Sequence, residues 1–234
     1  MTELCTEESA IEMLKRGKTV PRLGRTWPVS NTLVTALTGL NLIEGPALEF
    51  GVYSGASITE IANQLSDRTV YGFDSFRGLP DAFADKLPKG HFDTRGLVPK
   101  VPNNVKICKG DFEDTLAHFF QTHQGPASFV HLDADLYSST MCAMEHIIRA
   151  KWLVVGTVLV FDEMFNYSKN WRADGEFKAL CHLLRAFPGL NFECVLKAAD
   201  PSDPPRDTFD YQKEQVALIV TGVPDKSVVL DGGK

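Results

Sequence analysis

Apolar and polar positions along this chain fall into short blocks with two distinct periods. Residues 47–52, 69–74, 104–109, 128–133 and 154–161 are compact apolar runs bounded by turn-forming residues, the pattern of buried strands. Between several of them the period lengthens. Ile58, Ile61, Ala62 and Leu65 mark a helix over 57–64, and Met141, Met144, Ile147 and Ile148 mark another over 138–149. A helix is also expected near 175–186. Strands follow at 192–197 and 216–220, paired like a hairpin across the polar, proline-rich stretch 199–214. Strands alternating with helices predict parallel β-α-β units and an α/β fold.

The flanks of this pattern are less regular. Residues 8–15 carry acids early and bases late around Ile11, Met13 and Leu14, which suits a short helix aligned with its own dipole. Residues 1–45 are read as a helical segment preceding the sheet. Residues 77–103 contain GLPDAF, LPKGHF and VPKVPN and are too rich in Pro and Gly for an ordinary connection, so a lid-like insertion is expected there. Fraying is expected after Pro224.

With 234 residues and 44% hydrophobic content, the whole chain, 1–234, is expected to form one domain. A net charge of −6 supplies no field to attract nucleic acid or anionic lipid, so a small-molecule partner is favoured. The charged N-terminus lacks a signal-peptide core, and no apolar stretch approaches membrane-spanning length, so a soluble, cytoplasmic protein is expected. Five scattered cysteines with no C-x-x-C pair read as reduced thiols. Self-association is left open.

Candidate chemistry gathers at the ends of the apolar runs. Residues 48–55, LEFGVYSG, lead from a strand into a glycine turn, but Tyr53 and Ala56 stand where a dinucleotide-binding G-x-G-x-x-G would need glycine. Gly51 and Gly55 permit tight geometry, Ser57 is placed to cap the next helix, and Glu49 is a carboxylate that needs a partner if buried. Asp74, 25 residues after Glu49, ends the second run and suits either a ribose acceptor or a cap. Asp111 and Phe112 follow the third run, either to hold an adenine ring or to form a turn.

In HLDADLYSST, Asp133 and Asp135 share a face if the strand continues that far, and Ser138 or Ser139 is expected to cap the following helix. Asp162 and Glu163 follow the fifth run. Together with Asp133 they make a hard-oxygen set suited to Mg²⁺ or, alternatively, solvated acids at a sheet edge. His131, within an apolar strand, reads as a core histidine and only a secondary candidate for a base.

EFGVYSGAS, YGFDSFRGLPDAF, KGDFEDTL and HLDADLYSST together resemble the class I S-adenosylmethionine-dependent methyltransferases, in particular the macrocin O-methyltransferase family of metal-dependent sugar methyltransferases. The resemblance spans about residues 47–179. It implies a Rossmann-like sheet of seven strands, the last antiparallel, with helices on both faces. The methionyl end of the cofactor is then expected beside Glu49, Gly51, Tyr53, Gly55 and Ser57, the ribose at Asp74 and Ser75, and the adenine near Asp111 and Phe112. Mg²⁺ is expected on Asp133, Asp162 and Glu163, where the family's usual pair is Asp-Asp. Asp133 and Asp135 are the expected catalytic residues, with Asp135 as base. Leu136 stands where related catechol methyltransferases carry a lysine. The implied activity is methyl transfer to a hydroxyl of a sugar or natural-product intermediate. The rival readings are a non-catalytic nucleoside-binding module and an NAD-dependent reductase.

Overall fold

The computed structural model describes residues 6–20, 29–83, 87–165, 171–199 and 215–224. Cys5, the tail after Pro224 and most of the proline-rich stretch lie outside them. Helix α1 (Glu7–Lys15) opens at Thr6, whose hydroxyl accepts the Ser9 amide, and it buries Ala10, Ile11 and Leu14. A two-residue strand, β1 (Lys18–Thr19), and helix α2 (Asn31–Gly39) complete the N-terminal region. There follow β2 (Ala47–Phe50), α3 (Ala56–Gln64), β3 (Val70–Asp74), β4 (Val105–Lys109) and α4 (Phe112–Thr122). The remainder comprises β5 (Phe129–Leu132), α5 (Tyr137–Arg149), β6 (Val158–Phe161), α6 (Gly175–Ala186), β7 (Asn191–Lys197) and β8 (Val216–Gly222).

All eight strands form one sheet in the order β1-β7-β8-β6-β5-β2-β3-β4. β8 is antiparallel to both of its neighbours, and the other pairs are parallel. This is the expected Rossmann-like methyltransferase sheet with its late antiparallel insertion. The expected count of seven is corrected to eight, because β1 is a two-residue edge pairing of Lys18 and Thr19 with Leu196 and Lys197, too short to leave a periodic signal.

The central strands are buried on both faces, and their alternation sorts the core into two clusters. Leu48 and Phe50, Val130 and Leu132, and Leu159 and Phe161 join the α4, α5 and α6 side. Ala47, Phe129, Val158 and Val160 join the α2 and α3 side. Phe50 stacks on Phe73 with ring centroids 4.9 Å apart, and both are fully buried. Each such ring contributes about 1.5–3 kcal/mol of burial. Glu49 and His131 are paired neighbours in β2 and β5, so their polar side chains interrupt the α2 and α3 side at adjacent points.

Helix α4 was not anticipated, although Phe112, Leu116, Phe119 and Phe120 follow a helical period and all meet the core. The fifth run is shorter as a strand than expected. Residues 154–157 form a turn in which the Thr157 amide donates to the Val154 carbonyl at 3.0 Å and Gly156 takes φ +96°.

Candidate active site

A cavity of about 240 Å³ lies along the carboxyl ends of β2, β3, β4, β5 and β6, where the strand order reverses between β2 and β5. Such a switch point is where open α/β sheets bind ligands. One end is the glycine turn after β2. Gly51 takes φ +92°, and a Cβ there would lie 1.8 Å from the Asp133 carbonyl oxygen, so only glycine lets the two strand ends approach. Tyr53, Phe76 and Asp135 take φ values of 47°, 59° and 56°, a left-handed backbone uncommon outside glycine. Tyr53 and Asp135 line the cavity.

Asp74 holds this turn in shape. Its Oδ2 accepts the amides of Val52 at 2.8 Å and Tyr53 at 2.7 Å, while Oδ1 accepts the Phe76 amide at 2.6 Å. The carboxylate therefore ties the β2 turn to the β3 turn and fixes two of the left-handed residues. It lines the cavity as well, beside Ser75, whose hydroxyl accepts the Arg77 amide. Asp111 begins α4 without capping it. Its carboxylate pairs instead with the Arg77 guanidinium at 2.5 Å. Phe112 meets Phe50 edge-on at 5.6 Å and lines the same wall.

Two helix caps expected from sequence do not form. Ser57 lies within α3, whose N-cap is Gly55 at φ +83°, and its hydroxyl favours the charged form of Glu49. Ser138 and Ser139 lie in the first turn of α5, behind an uncapped Leu136, and line the cavity. In each case the chain enters the helix one or two residues earlier than the hydroxyl, which frees it for the site.

Glu49 is fully buried, with Oε1 2.8 Å from His131 Nδ1. Burial raises its pKa, against the pull of His131. His131 Nε2 lies 3.5 Å from Asp162 Oδ1. Burial alone would lower the imidazole's pKa, but the bonds to Asp162 and Glu49 outweigh it and raise the value well above normal. His131 is buried in its strand, as a core histidine would be. It bridges the strand that enters the glycine turn to the acid cluster, a link that only strand pairing reveals.

Asp133 and Asp162 each sit one residue past their strands, with Asp133 donating its amide to the Phe50 carbonyl and Asp162 to that of Leu132, both at 2.9 Å. Both acids therefore continue the face that carries Glu49 and His131. Carboxylate oxygens of Asp133, Asp162 and Glu163 lie within 4.8 Å of one another. Asp135 joins them by a different route from the one expected. The strand stops at Leu132, and the left-handed turn at Asp135 brings its side chain to the cavity.

Burial, followed by repulsion from Asp162, raises the Asp133 carboxyl well above its usual range and pushes Asp135 up to about 7. Burial and the surrounding acids, Asp135 first, raise Glu163 likewise. Glu163 Oε2 is buried without a hydrogen-bond partner. A cluster of hard oxygen donors, mutually repelling and incompletely satisfied, fits a divalent cation such as Mg²⁺. Sequence reasoning missed one further acid, Glu176 at the start of α6, which is fully buried and accepts the Glu163 amide at 2.9 Å through Oε2.

Several described residues of the segment 77–103 lie beside the cavity. Leu79, Phe83 and Leu87 form a small cluster with Leu136, Phe92 lies against Tyr53 at 5.2 Å between ring centroids, and Pro99 sits over Gly55. Leu79, Pro80, Asp81 and Phe92 line the cavity. No helix among the described residues is long and apolar enough to cross a membrane.

The crevice at the carboxyl ends of the strands thus has a glycine turn at one end and a cluster of acids at the other. Residues 48–164, half of the chain, match the methyltransferase domain family, and the chain belongs to that family. A Streptomyces olivaceus relative, 8-demethyl-8-(2,3-dimethoxy-alpha-L-rhamnosyl)-tetracenomycin-C 4'-O-methyltransferase, is 29% identical over 55% of this chain. The match spans 62% of that relative's length. Among solved structures, cofactor-bound Rv0187 from MTB is 16% identical, with a TM-score of 0.50 over 92% of this chain and 87% of its own. CalS11, a TDP-rhamnose 3'-O-methyltransferase of calicheamicin biosynthesis, is 21% identical, with a TM-score of 0.46 over 80% of this chain and 75% of its own.

Proposed function

We propose that this protein is an S-adenosylmethionine-dependent O-methyltransferase acting on a hydroxyl of a small molecule, a sugar or natural-product intermediate, with a divalent cation at the acid cluster. The observation that carries this reading is a single cavity running from the Asp74-braced glycine turn to Asp133, Asp135, Asp162 and Glu163. Cofactor and acceptor would therefore meet inside one cavity. The Streptomyces olivaceus relative, named for methylation of a sugar hydroxyl on a tetracenomycin, supports the acceptor class.

Methyl transfer forms an oxygen–carbon bond as the sulfonium carbon–sulfur bond breaks, and it needs the three atoms in line. Positioning of this kind is worth on the order of 7–11 kcal/mol. The turn at Gly51–Gly55 would hold the methionyl end of the cofactor, Asp74 and Ser75 its ribose, and Phe112 with Asp111 its adenine. Three amides already orient the Asp74 carboxylate and leave about one of its four or so lone-pair sites, on Oδ1, for a ribose hydroxyl. Asp135 takes the hydroxyl proton. Asp133, Asp162 and Glu163 would hold Mg²⁺, which when bound supplies a positive charge to orient the hydroxyl and stabilise the developing alkoxide. The cavity lining carries eight carboxylate side chains and, among the described residues, no lysine or arginine.

Calorimetric titration with S-adenosylhomocysteine, followed by transfer of a labelled methyl group to a panel of glycosides with and without chelator, tests the assignment. Micromolar binding and a methylated product are expected. Binding of reduced nicotinamide cofactor with no affinity for S-adenosylhomocysteine would overturn it, and binding without any turnover would leave a nucleoside-binding module.

A further inference from the structure

Glu176 is the second residue of α6, yet it serves the acid cluster rather than the helix. The rest of that helix is anchored by Phe177, Leu180, Cys181 and Leu183, all in the core, so its seating does not depend on a carboxylate. Glu176 itself is fully buried. One oxygen, Oε2, accepts the backbone amide of Glu163 at 2.9 Å, and the other, Oε1, is buried without a hydrogen-bond partner. A glutamine would accept that amide equally well and would carry no charge into the interior.

The surroundings make a charge costly. Asp162, Asp133 and Asp135 all repel the Glu176 carboxylate, and burial works in the same direction. His131, the imidazole beside the acid cluster, is already engaged by Glu49 and Asp162. A buried, unpaired carboxylate among other carboxylates is unfavourable unless a cation compensates it. The arrangement makes physical sense when the positive charge is a ligand. Glu176 Oε1 and Glu163 Oε2 are both buried oxygens without a hydrogen-bond partner, left for such a ligand to compensate.

We propose that Glu176 is a positioning residue of the cation site: it clamps the backbone of Glu163 so that the Asp162–Glu163 pair faces Asp133, and it adds a further negative charge to the field that holds the ion. The proposal rests on the reading that the acid cluster binds a divalent cation. It also bears on why Glu163 works with one methylene more than an aspartate, since fixing its backbone limits where the longer side chain reaches.

The test uses the whole chain and Mn²⁺ as the probe ion. Glu176→Gln keeps the shape and the acceptor for the Glu163 amide but removes the charge. In chelator, the variant should melt at a higher temperature than the unmodified protein, because one repelling carboxylate is gone. By calorimetry its Mn²⁺ affinity should fall about tenfold or more, with S-adenosylhomocysteine affinity unchanged. A purely structural glutamate would move neither the metal-free melting temperature upward nor the Mn²⁺ affinity downward.

If the unmodified protein binds no Mn²⁺, the cation reading itself fails. If it binds Mn²⁺ and Glu176→Gln binds it equally well, only the role of Glu176 is overturned. Should Glu176→Gln not fold, Glu176→Asp retains the charge but falls short of the Glu163 amide. It should bind Mn²⁺ more weakly through loss of the clamp, and unchanged binding would overturn the proposal.

Discussion

Removing the Asp74 carboxylate should damage the cofactor end of the site more than the fold. Asp74→Ala deletes the acceptor for three amides at 2.6–2.8 Å, those of Val52, Tyr53 and Phe76. Hydrogen bonds to a charged group are worth about 1.5–3 kcal/mol each, but the Tyr53 bond is exposed and the other two are only part-buried, so water can replace part of them and the loss to stability should be nearer 1–3 kcal/mol in total. Binding should suffer further. Tyr53 and Phe76 are held at positive φ, a conformation that costs on the order of 1–3 kcal/mol when nothing enforces it. Without Asp74 the turn relaxes, and the ligand must reorder it while also losing the ribose acceptor. A fall in S-adenosylhomocysteine affinity of roughly 2–4 kcal/mol, about 30- to 1,000-fold, is expected. Asp74→Asn, with one carbonyl oxygen left, can satisfy either the Val52 and Tyr53 amides or the Phe76 amide and should fall between. Titration calorimetry and thermal melts on the same preparations decide the matter. Wild-type affinity and melting temperature in Asp74→Ala would refute the bracing role.

Gly51→Ala places a methyl group 1.8 Å from the Asp133 carbonyl and should cost roughly 3 kcal/mol or more in a denaturant melt. Asp133→Asn and Asp162→Asn should abolish methyl transfer in a labelled-methyl assay while cofactor affinity stays within about tenfold, since these acids serve the acceptor end; Glu163→Asp should be tolerated. Residues 77–83 and 87–103 should gain hydrogen-exchange protection when S-adenosylhomocysteine binds, because Phe92 and Pro99 pack on the glycine turn; equal protection in both states would remove the lid reading. Cys194, buried with its thiol pushed up to about 12, should react with a thiol reagent at neutral pH only after unfolding, and prompt labelling of the native protein at Cys194 would contradict its packing.

The sequence by itself determined the strands of the central sheet and the residues that leave them. A strand buried on both faces must be a short apolar run, and the residue that follows it meets water or a ligand, so Gly51, Asp74, Asp133 and Asp162 were legible from the ends of such runs. A helix near 175–186 was legible as well, because its apolar residues recur at helical spacing. Tertiary structure alone decided what those residues touch. That Glu49 meets His131, and His131 meets Asp162, depends on the register of three strands far apart in sequence. That Asp135 reaches the cavity depends on a left-handed turn, and that Asp74 spends both oxygens on backbone amides depends on two loops being folded together. Glu176 left no signal at all. An acid in the first turn of a helix is ordinary helix chemistry, and only the approach of α6 to the end of β6 turns it toward Glu163. Periodicity is a local property and survives in one dimension, whereas the partner of a buried charge is chosen by packing and does not.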